Sequence, residues 1–114
     1  MTDSDAALVA FEQLAAAYEG RPGVSHGRIW HNDGLTVGGK IFAMVVRGEL
    51  VVKVPAARAT TLVESGTATR FEPSPGRVMR EWVSVPLPRG RRRSAWEGLV
   101  AEAYAYVGGP RAAQ

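Results

Sequence analysis

The sequence predicts an α+β domain: an antiparallel sheet of four to five strands with three helices packed on it, in the order α-β-β-β-α-(β)-β-α. Three observations carry that expectation. Apolar residues near both ends recur at helical spacing, the middle of the chain switches to strand-like runs punctuated by glycine, and a proline opens a third amphipathic segment between those runs. The 114 residues are expected to form one domain, enough to bury roughly 65% of the surface the unfolded chain exposes.

Residues 5–19, DAALVAFEQLAAAYE, place Leu8, Phe11, Leu14 with Ala15, and Tyr18 on one helical face. Asp3 or Ser4 is the expected cap, and Gly20-Arg21-Pro22-Gly23 the stop. From Val24 onward the pattern becomes strand-like. Gly38-Gly39 reads as a two-residue turn between strands at 35–37 and 40–46, and Arg47-Gly48 as the turn into a strand at 49–54. Three strands in a meander follow from this.

Pro55 suits the start of a helix, with Ala59, Leu62 and Val63 facing the sheet and Gly66 ending it. Residues 68–73 read as a short edge strand, 74–77 (SPGR) as a turn and 78–85 as another strand. Strand alternation would put Val78, Arg80, Trp82 and Ser84 on one face and Met79, Glu81, Val83 and Val85 on the other. The last helix begins at Ser94, where Ser94 and Glu97 form a capping box, and buries Trp96, Leu99, Val100, Ala103, Tyr104 and Val107. Gly108-Gly109-Pro110 ends it.

Composition bounds the function. With no cysteine, disulfides and thiolate metal sites are excluded, and a reducing compartment is the natural setting. The acidic start MTDSDAALVAFEQ is unlike a secretory signal and no apolar run is long enough to span a membrane, so the expectation is a cytoplasmic protein without membrane association. Twelve of the fourteen basic residues are arginine, and the pI of about 9.8 lies in the range of nucleic-acid binders.

Catalytic motifs are scarce. No serine lies in a nucleophile elbow, and Gly38-Gly39-Lys40 lacks the rest of a phosphate loop. The acidic residues are scattered singly; Glu81 has Arg47, Arg77 or Arg80 as available partners. The two histidines share one segment, SHGRIWHNDG. There His26, Trp30, His31 and Asp33 make the alternative reading, a small-ligand or metal site or an enzyme, although their spacing matches no metal template.

The run RGRRRSAWEG is harder to set aside. Arg91, Arg92 and Arg93 beside the positive end of a helix are unfavourable for that helix by a few tenths of a kcal/mol each, so helix stability does not explain them. With Arg89, and helped by Arg77 and Arg80, they offer guanidinium groups and free N–H donors to a phosphate or an acidic partner.

Residues 27–86 resemble the N-terminal domain of TfoX/Sxy proteins. The carrying residues are Arg28-Ile29-Trp30-His31, Gly34-Leu35, Gly39-Lys40-Ile41-Phe42-Ala43 and Gly48-Glu49-Leu50-Val51-Val52-Lys53, followed by GRVMREWVSVP. YjbR/MmcQ-like domains share the GKIFA segment and the same general α+β shape. Ile-Trp-His stands where the TfoX pattern has Met-Phe-Gly. The resemblance implies the fold and a non-enzymatic regulatory or interaction role, with a transcription regulator or nucleic acid as partner, a monomer or homodimer as the assembly, and no cofactor or catalytic residue.

Overall fold

The computed structural model describes residues 3–29, 32–87 and 94–108. The elements run α1 (Asp3–Ala15), β1 (Val24–Ile29), β2 (Asn32–Val37), β3 (Lys40–Val46), β4 (Glu49–Lys53), α2 (Ala56–Glu64), β5 (Thr69–Arg70), β6 (Trp82–Pro86) and α3 (Ser94–Gly108). Six strands form one antiparallel sheet in the order β1-β2-β3-β4-β6-β5. The α+β class and the three helices are as expected, with one strand more than the upper count.

The additional strand is β1, pairing with β2 from Val24↔Val37 to Ile29↔Asn32. VSHGRI carries polar residues and a glycine, and its alternation is weak because an edge strand buries little. Pairing supplies what side-chain pattern does not. It also lengthens β2 to Asn32, three residues before the expected start.

Both hairpin turns form as the glycines require. Gly38 and Gly39 have φ of 58° and 82°, and Arg47 and Gly48 have 52° and 80°, the left-handed pair of a type I′ turn. Arg47 is the one described non-glycine residue at positive φ, where a Cβ is unfavourable by roughly 1–2 kcal/mol and asparagine is better tolerated. Arg47→Asn is therefore expected to raise stability by up to about 1 kcal/mol, read as a higher urea midpoint at unchanged m-value. A lower midpoint would mean that the Arg47 contact with the Glu72 carbonyl, 3.4 Å long, outweighs the turn.

All three helices contribute to the main core on one face of the sheet. Phe11, Leu35, Phe42, Leu50, Val52, Val54, Ala59, Val83, Trp96 and Val100 are buried there with their neighbours. Phe42 and Ala43 both enter this core although they are consecutive. A bulge explains it: Leu35 pairs with Ala43 and Thr36 with Ile41, leaving Phe42 as the extra residue. Ile41 and Met44 on either side then turn to the opposite face.

In α1 the buried residues are Ala7, Phe11 and Ala15, with Tyr18 in the turns beyond the helix; Leu8, expected inside, is exposed. The helix runs from Asp3, and the side chains of Asp3 and Ser4, the expected caps, lie outside the described residues. In α2, Ala59 and Leu62 are buried and Val63 packs beside them. Gly66 has φ 80° and its N–H reaches the Val63 carbonyl, closing the helix as expected. Helix α3 buries the predicted stripe, with Tyr104 half-buried. The Ser94 side of the capping box and residues 109–110 lie outside the described residues.

The opposite face carries a smaller cluster of Met44, Val46, Val51 and Phe71, with Ile41, Met79 and Trp82 against it. Residues 78–81, expected in a strand, are instead part of an irregular segment that crosses toward this cluster. Pro75-Gly76 makes a turn there, with Gly76 at φ 82° and the Arg77 N–H bonded to the Ser74 carbonyl. Met79 consequently joins Trp82 on the second face rather than Val83 in the main core. Alternation holds only from Trp82 onward.

Candidate functional site

Two groups of polar residues stand out, and they differ in what their charges meet. The first surrounds His26 on β1. Its Nδ1 contacts the Glu19 carboxylate and its Nε2 lies 2.9 Å from Asp33 Oδ2. Glu19 lies in the turns after α1 and Asp33 on β2, so the imidazole ties the N-terminal helix to the first hairpin. Burial disfavours a charge on the ring, but the hydrogen bonds to Asp33 and Glu19 and their negative charge outweigh that, and the His26 pKa rises above 6.5. A ring donating from both nitrogens keeps no lone pair for a metal. Among the described residues no group of three or more His, Asp or Glu side chains is placed to hold a metal ion. Trp30 and His31, the other members of the alternative site, lie outside the described residues.

The direction of that shift fixes a pH dependence. The charged network contributes its full stability below pH 6.5 and loses it as pH rises through the higher folded-state pKa. Wild-type stability relative to His26→Gln should accordingly fall as the pH rises above 6.5, measured by urea unfolding on both sides of neutrality. Parallel curves for the two proteins would show that the network adds nothing.

The second group lines an open groove at one end of the sheet's second face. Lys53 at the end of β4 pairs in register with Trp82 at the start of β6, so both point to that face. Residues 77–81 of the irregular segment (Arg77, Val78, Met79, Arg80 and Glu81) and Ala56 at the start of α2 complete the walls of a depression of about 590 Å³. A second hollow, lined by Ala56, Ala57, Thr60, Arg70 and Arg80, adjoins it. Lys53, Arg77 and Arg80 line the first hollow, and Arg70, which pairs with Val83 and so leaves the sheet on the side of α2, meets Arg80 in the second.

Their partners are few. Arg70 donates to the Arg80 carbonyl and to Thr60 Oγ1, each at 2.9 Å, and so keeps its full charge. Among the described residues the Arg77 and Arg80 side chains have no carboxylate partner. Lys53 Nζ is 3.8 Å from Glu81 Oε1, a loose pair at a half-exposed site. The other Glu81 oxygen accepts the Tyr106 hydroxyl at 2.6 Å. Lys53 and Tyr106, not an arginine, are therefore the partners of Glu81. By contrast, Arg58 donates from Nε and Nη2 to the two Glu102 carboxylate oxygens, at 2.8 and 3.1 Å, and is a tie between α2 and α3. The start of α2 adds to the positive field: it has no side-chain cap and no acidic residue in its first turn.

Of the six arginines singled out in the sequence, Arg77 and Arg80 fall in this groove. Arg89, Arg91, Arg92 and Arg93 lie outside the described residues. Strand β6 runs from Trp82 at the groove to Pro86, so the chain leading to that cluster leaves the strand at its far end, roughly 13 Å away. Sequence reasoning missed Lys53, Arg70 and Trp82 as members. Lys53 was legible as a strand residue on the same face as Val51, but its neighbours there depend on β6 pairing with β4 rather than with β3. No sequence signal reports that order.

The model of the YjbR family matches residues 19–106. No curated protein and no solved structure matches the chain. Among the described residues no helix is long and apolar enough to cross a membrane. The matched segment runs from the turns after α1 into the last turn of α3, takes in every strand, and contains residues 27–86, whose resemblance to TfoX/Sxy N-terminal domains and whose GKIFA segment pointed to this group of related domains. The chain belongs to the YjbR family.

Proposed function

We propose that this domain acts by binding rather than catalysis, and that it takes the phosphodiester backbone of a nucleic acid along the groove formed by Lys53, Arg70, Arg77 and Arg80. The observation carrying this reading is that four cations line two adjoining hollows, with Arg80 common to both, and that among the described residues lining them there is one carboxylate, Glu81. Elsewhere on the described chain the close ion pairs are neutralised within the fold, as Arg58 is by Glu102. Guanidinium groups with unspent donors suit phosphate oxygens, and an arginine-rich chain of high pI supports the same partner. A role in regulation follows if that nucleic acid is DNA near a promoter.

The test is the salt dependence of binding to labelled oligonucleotides, followed by fluorescence anisotropy from about 50 to about 200 mM KCl. Each phosphate contacted contributes roughly 0.7–0.9 to the slope of log affinity against log salt, so four contacts give a slope of about −3. A slope near zero, or no binding at the lowest salt, overturns the reading.

A further inference from the structure

We infer that Trp82 is a base-stacking platform, which makes the ligand of the groove single-stranded rather than duplex nucleic acid; this rests on the phosphodiester reading above. The two described tryptophans differ in a telling way. Trp96 is 1% exposed and its indole N–H donates to the Pro86 carbonyl at 3.1 Å, as a core tryptophan requires. Trp82 is only partly buried, and among the described residues its N–H meets no acceptor. Trp82 packs against the cluster of Met44, Val51 and Phe71 and also lines the groove.

The surroundings supply the rest of a single-strand site. Lys53 lies directly across from Trp82 in the sheet, and Arg77 and Arg80 flank the same hollow. Cations beside an aromatic face are the pairing by which single strands are held: the backbone follows the charge and the bases stack on the ring. A volume of about 590 Å³ lies within the roughly 300–1,000 Å³ typical of sites for small molecules, and so admits a splayed nucleotide. Duplex bases are stacked within the helix. They could stack on an indole only by leaving that stack, at a cost of a few kcal/mol. The groove is therefore matched to an unpaired strand.

The experiment compares a labelled single strand of about 16 nucleotides with its own duplex, for wild type, Trp82→Phe and Trp82→Leu, by anisotropy at about 100 mM KCl. The single strand should bind at least about tenfold more tightly, because it does not carry the cost of unstacking. Trp82→Leu should lose about fivefold to a hundredfold, the range of one stacked base, and Trp82→Phe should retain most of the affinity. Salt-dependent binding with equal or better affinity for the duplex overturns the stacking inference and leaves the phosphodiester reading standing. So does single-strand binding by Trp82→Leu that matches wild type. Failure of both forms to bind overturns both.

Should Trp82→Leu not fold, Trp30→Phe provides an independent reading, since its remaining tryptophans are Trp82 and the buried Trp96. Saturation with the unlabelled strand should quench its emission and shield it from acrylamide. Unchanged emission at saturation overturns the inference.

Discussion

Trp96→Ala is expected to destabilise the domain by about 3–5 kcal/mol, the range for removing a large aromatic side chain from a core. Among the described residues Trp96 is the largest fully buried side chain, and it sits in the first turn of α3 against a core shared by all three helices. Its N–H bond to the Pro86 carbonyl also fixes the start of α3 to the end of β6. A domain of this size has about 5–15 kcal/mol of total stability, so the loss takes a large fraction of it. Urea unfolding by circular dichroism measures the effect, and Trp96→Phe divides it. Phenylalanine keeps most of the apolar burial and loses the hydrogen bond, so its cost should be well below that of alanine. A loss under about 1 kcal/mol for Trp96→Ala would mean that α3 packs without its anchor.

The elements legible in the sequence are those in which local chemistry and tertiary demand agree. Gly38-Gly39 and Arg47-Gly48 announce the two tight hairpins because only a left-handed pair of residues makes such turns, and the four φ values confirm it. The stripe of α3 is legible because every third or fourth residue is apolar and the helix lies on the sheet. Where the two part, the reading fails. Leu8 is larger and more apolar than Ala7, yet α1 turns Ala7, Phe11 and Ala15 into the core and leaves Leu8 exposed. Residues 78–81 alternate like a strand, but the Pro75-Gly76 turn redirects the chain across the second face and Met79 lands beside Trp82. The bulge at Phe42 defeats alternation in the same way.

The candidate site was half legible. Arginine-rich composition and Arg77 with Arg80 are in the sequence, but the groove is made by strand order. Pairing of β4 with β6 sets Lys53 opposite Trp82, and the β5–β6 pair brings Arg70 within reach of the Arg80 carbonyl. Lys53 and Arg80 are twenty-seven residues apart, and no local pattern links them.

Replacing Arg77 and Arg80 together with alanine is expected to weaken nucleic-acid binding roughly 25- to 60-fold at about 0.1 M salt. That factor follows from counterion release: two lost phosphate contacts remove about 1.4–1.8 from the log–log slope, and about 0.1 M is one decade below the 1 M reference at which that contribution vanishes. Neither side chain is tied to a carboxylate or buried among the described residues, so the fold should keep its wild-type urea midpoint. That separates a binding effect from unfolding. The comparison that decides between the two basic regions is a second variant with Arg89, Arg91, Arg92 and Arg93 changed to alanine. If the groove is the site, the first variant flattens the salt dependence and the second changes it less, because the chain leaves β6 for that cluster at the end away from Trp82. Binding that survives the first variant with an undiminished slope and is abolished by the second would move the phosphate contacts from the groove to the arginine run at 89–93.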